Sequence, residues 1–131
     1  MIGTYGDLVF EASSERIRTF KEYQRQGSAR WAKSDVLGGK PRSQFIGPGQ
    51  ENITFVMELY AHFGIDVENE LKRLHEWRDE GRIERLILDG KPQGARNARW
   101  YIDKIEEEAK FWNNEGKLLA TEVTITLAEY F

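Results

Sequence analysis

Apolar and polar positions alternate most regularly in "ENITFVMELYAHF", residues 51–63. Ile53, Phe55, Met57 and Leu59 fall on one face, with Thr54, Val56, Glu58 and Tyr60 on the other, the period of a strand. The second face is mixed, which predicts partial cover by another layer or a neighbouring chain. "KLLATEVTITLAEYF" alternates in the same way and places Leu119, Thr121, Val123, Ile125 and Leu127 together. A helix is predicted over 66–80, "DVENELKRLHEWRDE". There Val67, Leu71, Leu74 and Trp77 (or Arg78) repeat at helical spacing, Asp66 suits the N-cap, and Gly81 suits a left-handed stop.

Shorter signals fill the rest. "DLVFEA" after Gly6 and "RLILDG", ending at Asp89-Gly90, are strand candidates. "ERIRTFKEYQRQ" satisfies neither period cleanly and is taken as extended. Residues 33–43, "KSDVLGGKPRS", carry Gly38-Gly39 and Pro41 and are expected to form a mobile loop. In "WYIDKIEEEAKFW", Ile102, Ile105, Ala109 and Trp112 fit a helix better than a strand. A turn, "NNEG", follows.

Composition narrows the class. The 131 residues suit one domain, 1–131, with a core sufficient for independent stability. With 40% apolar and 31% charged residues the chain is expected to be globular and soluble. Lys and Arg number 19 against 22 Asp and Glu, a balance that argues against general nucleic-acid binding. The absence of cysteine removes disulfides and thiolate metal sites. The N-terminus lacks the pattern of a signal peptide, and no apolar run approaches the ~20 residues of a membrane helix. Synthesis in a cytoplasm is expected.

Candidate chemistry is sparse. Gly47-Pro48-Gly49 could suggest a phosphate cradle, but Pro48 removes an amide, no GK[ST] follows, and the next residues read as strand. A bend between strands is the better reading. His62 and His75 lie on separate elements without ligand spacing. In Glu106-Glu107-Glu108, consecutive carboxylates point in different directions on either kind of element, so the run reads as a solvated face. Ser13-Ser14 has no nucleophile context. No catalytic, cofactor-binding or metal residue is expected. The pairs Arg30-Trp31 and Arg99-Trp100 are candidates for protein contact, since arginine and large aromatics are enriched at interfaces; core packing is the alternative for each.

Four stretches follow one another along the chain: "GTYGDLVFEAS", "RQGSARWAKSDVLGGKPRSQFIGPGQENITFVMELYAHFG", "LKRLHEWRDEGRIERLILDGKPQG" and "WYIDKIEEEAKFWNNEGKLLATEVTITLAEYF". In their order and spacing, nearly end to end, the chain resembles the tail protein U family of P2-type contractile phages. The most specific part of the resemblance runs from Gln44-Phe45 through Gly49 to Ile53-Thr54-Phe55. The sequence departs from the P2 type in ending at Phe131 and in the compact connection "LYAHFGID".

The resemblance implies that residues 99–112 form a strand, in a hairpin with 118–130, and this is adopted over the periodicity. The expected fold is α+β: a mostly antiparallel twisted sheet or partial barrel, the helix 66–80, and the C-terminal hairpin. The family further implies a non-enzymatic structural protein of a contractile phage tail or related bacteriocin. Its expected place is the baseplate, near tube and spike hub, with tube, hub and neighbouring baseplate proteins as partners. Copies are expected to form a ring, hexameric by analogy with the symmetry of such tails. A tail terminator capping the tube is the alternative, and a small enzyme or ligand-binding domain a third reading. Expected contact regions are the N-terminal strand, loop 33–43, elbow 47–50, and the edges of strands 51–61 and 118–130. The candidate interface residues are Arg30, Trp31, Leu37, Gly38, Gly39, Pro41, Gly47, Pro48, Gly49, Gln50, Arg99 and Trp100.

Overall fold

The structure is a computed structural model that describes residues 3–12, 17–60, 66–94 and 98–130. Its elements are β1 (Gly3–Tyr5), β2 (Leu8–Ala12), β3 (Ile17–Gln26), β4 (Ala29–Ser34), β5 (Arg42–Pro48) and β6 (Asn52–Tyr60). There follow α1 (Val67–Glu80), β7 (Ile83–Glu84), β8 (Leu86–Leu88), β9 (Lys91–Pro92), β10 (Arg99–Trp112) and β11 (Leu118–Tyr130).

Among the described residues, nine strands form one sheet in the order β7-β10-β11-β6-β3-β2-β1-β8-β9, every pairing antiparallel. The order explains the sheet's shape. β7 and β8 are separated by Arg85 alone, yet β7 pairs with β10 (Glu84 opposite Trp100) and β8 with β1 (Leu86 opposite Tyr5). One short stretch of chain therefore touches both flanks of the sheet. The sheet has to curl until its flanks approach, giving a partial barrel.

The barrel's inner face and α1 share one core. Ile53, Phe55, Met57 and Leu59 of β6 are buried, with Val123, Ile125 and Leu127 of β11. From α1, Val67, Leu71, Leu74 and Trp77 are buried into the same cluster. Asp66 caps the helix, accepting from the Asn69 backbone N–H at 3.2 Å. Gly81 stops it at φ 68°, a conformation glycine adopts without a Cβ penalty. β8 and β9 turn about Asp89 and Gly90, both at positive φ, as a two-residue hairpin requires.

Bulges account for the segments whose period was unclear. In β3 two residues, Glu22 and Tyr23, lie between pairs that are two apart on β6, and Glu22 has φ 54°. The extra residue reverses the alternation midway. In β10 the register slips at Asp103 and again at Lys110. Ile102 and Ile105 therefore meet Leu127 and Ile125 on the core face although three residues apart. A bulged strand imitates helical spacing. Strand and hairpin hold along the whole of 99–112, and the helical period is the reading that fails.

Two further expectations change. β6 lies between β11 and β3, and β11 between β10 and β6, so the strands expected to offer edges for strand addition, observed as Asn52–Tyr60 and Leu118–Tyr130, have paired flanks instead. Among the described residues, one long open edge belongs to β10. Beyond Trp100 and Tyr101, which pair with β7, its outer side from residue 102 to 112 has no ladder partner among the described residues. The loop expected over 33–43 is also narrower, because β4 reaches Ser34 and β5 begins at Arg42. On the outer face of β6, Lys21 contacts Glu58 at 2.5 Å and Glu122 at 3.6 Å, and the Tyr60 hydroxyl donates to Glu58 at 3.0 Å. The mixed face is thus dressed by its own charged and phenolic groups.

Candidate functional site

β4 and β5 form a separate two-stranded sheet with no third strand among the described residues. Together with the turn between them they make an arm, residues 29–48. Its base is pinched: the Gly49 N–H donates to the Ser28 carbonyl at 2.8 Å. A Cβ at Gly49 would stand 2.6 Å from that oxygen, so glycine is needed there. The Gln50 side-chain amide fastens the base to the sheet, donating to the Glu129 carbonyl at 2.7 Å and the Tyr101 hydroxyl at 3.3 Å.

Beyond the base the arm is exposed on both faces. Trp31 and Phe45 pack edge to face, with ring centroids 5.1 Å apart, yet remain 54% and 55% exposed. Ile46, Val36 and Leu37 are also exposed. A lone two-stranded hairpin is marginal in water, and exposed apolar surface on such an element marks contact with another molecule. Four basic residues, Arg30, Lys33, Lys40 and Arg42, stand against Asp35 alone.

Most of the expected interface residues meet here. Arg30, Trp31, Leu37, Gly38, Gly39, Pro41, Gly47 and Pro48 belong to the arm, with Gly49 and Gln50 at its base. Arg99 and Trp100 lie elsewhere. Arg99 is exposed, its guanidinium 5.3 Å from the Tyr130 ring centroid. Trp100 is fully buried, and its indole N–H donates to the Gln93 carbonyl at 3.1 Å. Its side chain is core, because strand alternation turns it inward while Arg99 faces water. Sequence reasoning passed over Phe45, Ile46, Phe111 and Trp112. Each pair places adjacent apolar residues on opposite faces of a strand, so one of each has to leave any single core.

The second exposed aromatic group is the far end of the β10–β11 hairpin, where Phe111 and Trp112 are 66% and 59% exposed. Phe111 borders an open hollow of about 270 Å³ with Glu58, Tyr60, Lys110, Ala120, Thr121 and Glu122. Its polar groups serve one another. The hydrogen bond from Lys21 holds the Glu58 carboxyl below the ordinary carboxylate range, with Tyr60 adding to it. The same bond raises Lys21. A carboxylate held charged in this way is a structural tie at neutral pH. His75 contacts Glu107, His62 lies outside the described residues, and no group of three potential metal ligands occurs among the described residues.

The chain matches the family described as Phage P2 GpU over residues 6–131. It belongs to that family. Comparison with curated proteins finds no match. Membership in the Phage P2 GpU family makes the chain a phage tail structural protein, a virion component with other tail proteins as its partners. No helix among the described residues is long and apolar enough to cross a membrane.

Proposed function

We propose that the chain is a non-enzymatic baseplate protein, arranged as a ring near the tube and spike hub, that links hub, tube and outer baseplate until contraction. Its candidate contacts are the arm 29–48, its base at Gly49 and Gln50, and Arg99. The observation that carries this reading is the arm itself. A protein that joins neighbours needs surfaces directed away from its own core, and the arm spends its aromatic residues on exposed positions. A stiff curled sheet is suited to transmit load, because its backbone ladders and packed core resist deformation. The test is cryo-electron microscopy of whole particles before and after contraction. Density for this chain around the tube at the baseplate is expected; density capping the opposite end of the tube would assign it the terminator role instead.

A further inference from the structure

Two surfaces of this chain with open strand edges among the described residues complement one another. The arm carries four basic residues against one acidic, leaving the remainder of the chain with 15 Lys and Arg against 21 Asp and Glu. The open edge of β10 carries Asp103, Glu106, Glu107 and Glu108 against Lys104 and Lys110. Glu106 and Glu108 oppose Thr124 and Glu122 on the outer face of the sheet and have side chains 59% and 71% exposed. Aromatic groups stand on both surfaces: Trp31 and Phe45 on the arm, Phe111 and Trp112 at the end of the edge.

Their backbones complement one another too. β4 and β5 each pair on one side only among the described residues, and β10 is unpaired on its outer side beyond Tyr101. The seven residues of β5 fit within the open stretch 102–112. An unpaired strand edge seeks another strand.

The register places the arm and the aromatic end of the open edge at opposite ends of the sheet. The arm leaves the sheet beside Gln26, Asn52, Ala128 and Tyr101, which align across four strands. The aromatic end of the edge aligns with Tyr60 and Ala120. Between Asn52 and Tyr60 the strand extends roughly 26 Å at ~3.3 Å per residue. Surfaces so separated favour contact between molecules.

We infer that the basic, aromatic arm of one copy adds to the acidic open edge of β10 on the next copy, so that identical chains join head to tail. Such a heterologous contact closes into a ring when its rotation permits. The inference deepens the ring reading proposed above and rests on it, and it identifies the partner of the arm as a second copy of this chain.

Sedimentation of the purified full chain over a range of concentrations tests it, with Arg30→Glu/Arg42→Glu on the arm and Glu106→Lys/Glu108→Lys on the edge. The wild-type chain is expected to self-associate, and either reversal to weaken association at least ten-fold. Mixing the two variants, or combining all four substitutions, is expected to restore most of it. Circular dichroism melts of each variant separate lost association from lost folding. Hydrogen exchange should report new protection at β10 amides between 102 and 112 as the wild type associates. Association indifferent to both reversals, or a chain that stays monomeric while its arm contacts a different tail protein in particles, would overturn the inference and leave the tail role intact. Absence of the chain from tail particles would instead sink the tail role, whatever the sedimentation shows.

Discussion

The hydroxyl of Tyr5 donates to the backbone carbonyl of Trp100 at 2.9 Å, joining residues 95 positions apart in sequence. Tyr5 also packs against Trp77, with ring centroids 5.9 Å apart. One side chain thus ties β1, α1 and β10 where the curled sheet draws together. Removing the hydroxyl leaves a buried carbonyl without its donor, at a cost of about 1–2 kcal/mol. Tyr5→Phe should lower the urea midpoint at neutral pH without changing the fold. An unchanged midpoint would show that the bond contributes nothing.

Burial also pushes the Tyr5 phenol well above its ordinary value of 10.0, with Glu84 nearby adding to the effect. A folded-state value raised in this way gives stability that is complete below the unfolded value and is lost as pH rises toward the folded one. The wild type should weaken progressively above about pH 10, with Tyr5 ionising as the protein unfolds. Tyr5→Phe should flatten that alkaline decline. Parallel pH profiles for the two proteins would contradict the assignment.

Glu58 behaves in the opposite sense. Its carboxyl is lowered from 4.5 by the Lys21 hydrogen bond first, and by Tyr60. Its contribution is present above the unfolded value and disappears as pH falls through the lower folded value. The pair is partly open to water, with side chains 39% and 24% exposed, so screening keeps its contribution small. Glu58→Gln should be mildly destabilising at pH 7, and its difference from the wild type should fade as pH falls below the ordinary carboxylate value. The check is a thermal melt series across this range in low and high salt.

The two ends of α1 give an additive pair. Asp66 holds both the backbone N–H and the side-chain amide of Asn69, and Asp66→Ala should cost about 1 kcal/mol. Gly81 has open space where a Cβ would sit, so Gly81→Ala meets only the backbone penalty of its left-handed conformation, about 1 kcal/mol. The sites stand roughly 20 Å apart along the helix, and their effects should sum. Guanidinium unfolding of the two single variants and the double variant measures this; a double variant no worse than either single one would mean that α1 frays before the core melts.

Much of this fold is legible in the sequence where one face meets the core without interruption. β6 and α1 obey their periods because each carries an unbroken apolar stripe, Ile53 to Leu59 and Val67 to Trp77. β3 and β10 do not, because bulges insert residues that displace the phase. Periodicity cannot separate a bulged strand from a helix, and there the family resemblance supplied what the residues alone did not. The arm was legible as glycine, proline and a basic-aromatic pair, though not as a hairpin. Its strands bury neither face, so no alternation marks them. The open edge of β10 lay hidden for another reason: strand order is set by long-range pairing, and nothing local distinguishes the central β11 from the flanking β10.

The arm and the core should respond independently to substitution. Trp31 and Phe45 contact one another and solvent, whereas Phe55 is buried against Phe10 with ring centroids 5.4 Å apart. Phe55→Ala removes a filled volume from the core and should cost about 3–5 kcal/mol. Trp31→Ser with Phe45→Ser should shift core unfolding by less than about 0.5 kcal/mol, as surface changes away from packed features do. On the proposed function, which seats these exposed side chains against a neighbour, the same double substitution should abolish incorporation of the chain into tail particles. Urea unfolding followed by far-ultraviolet circular dichroism, beside quantitation of the chain in purified particles, separates the two effects. A large loss of core stability would place the arm's aromatics within the folding unit, and normal incorporation would remove the arm from the assembly surface.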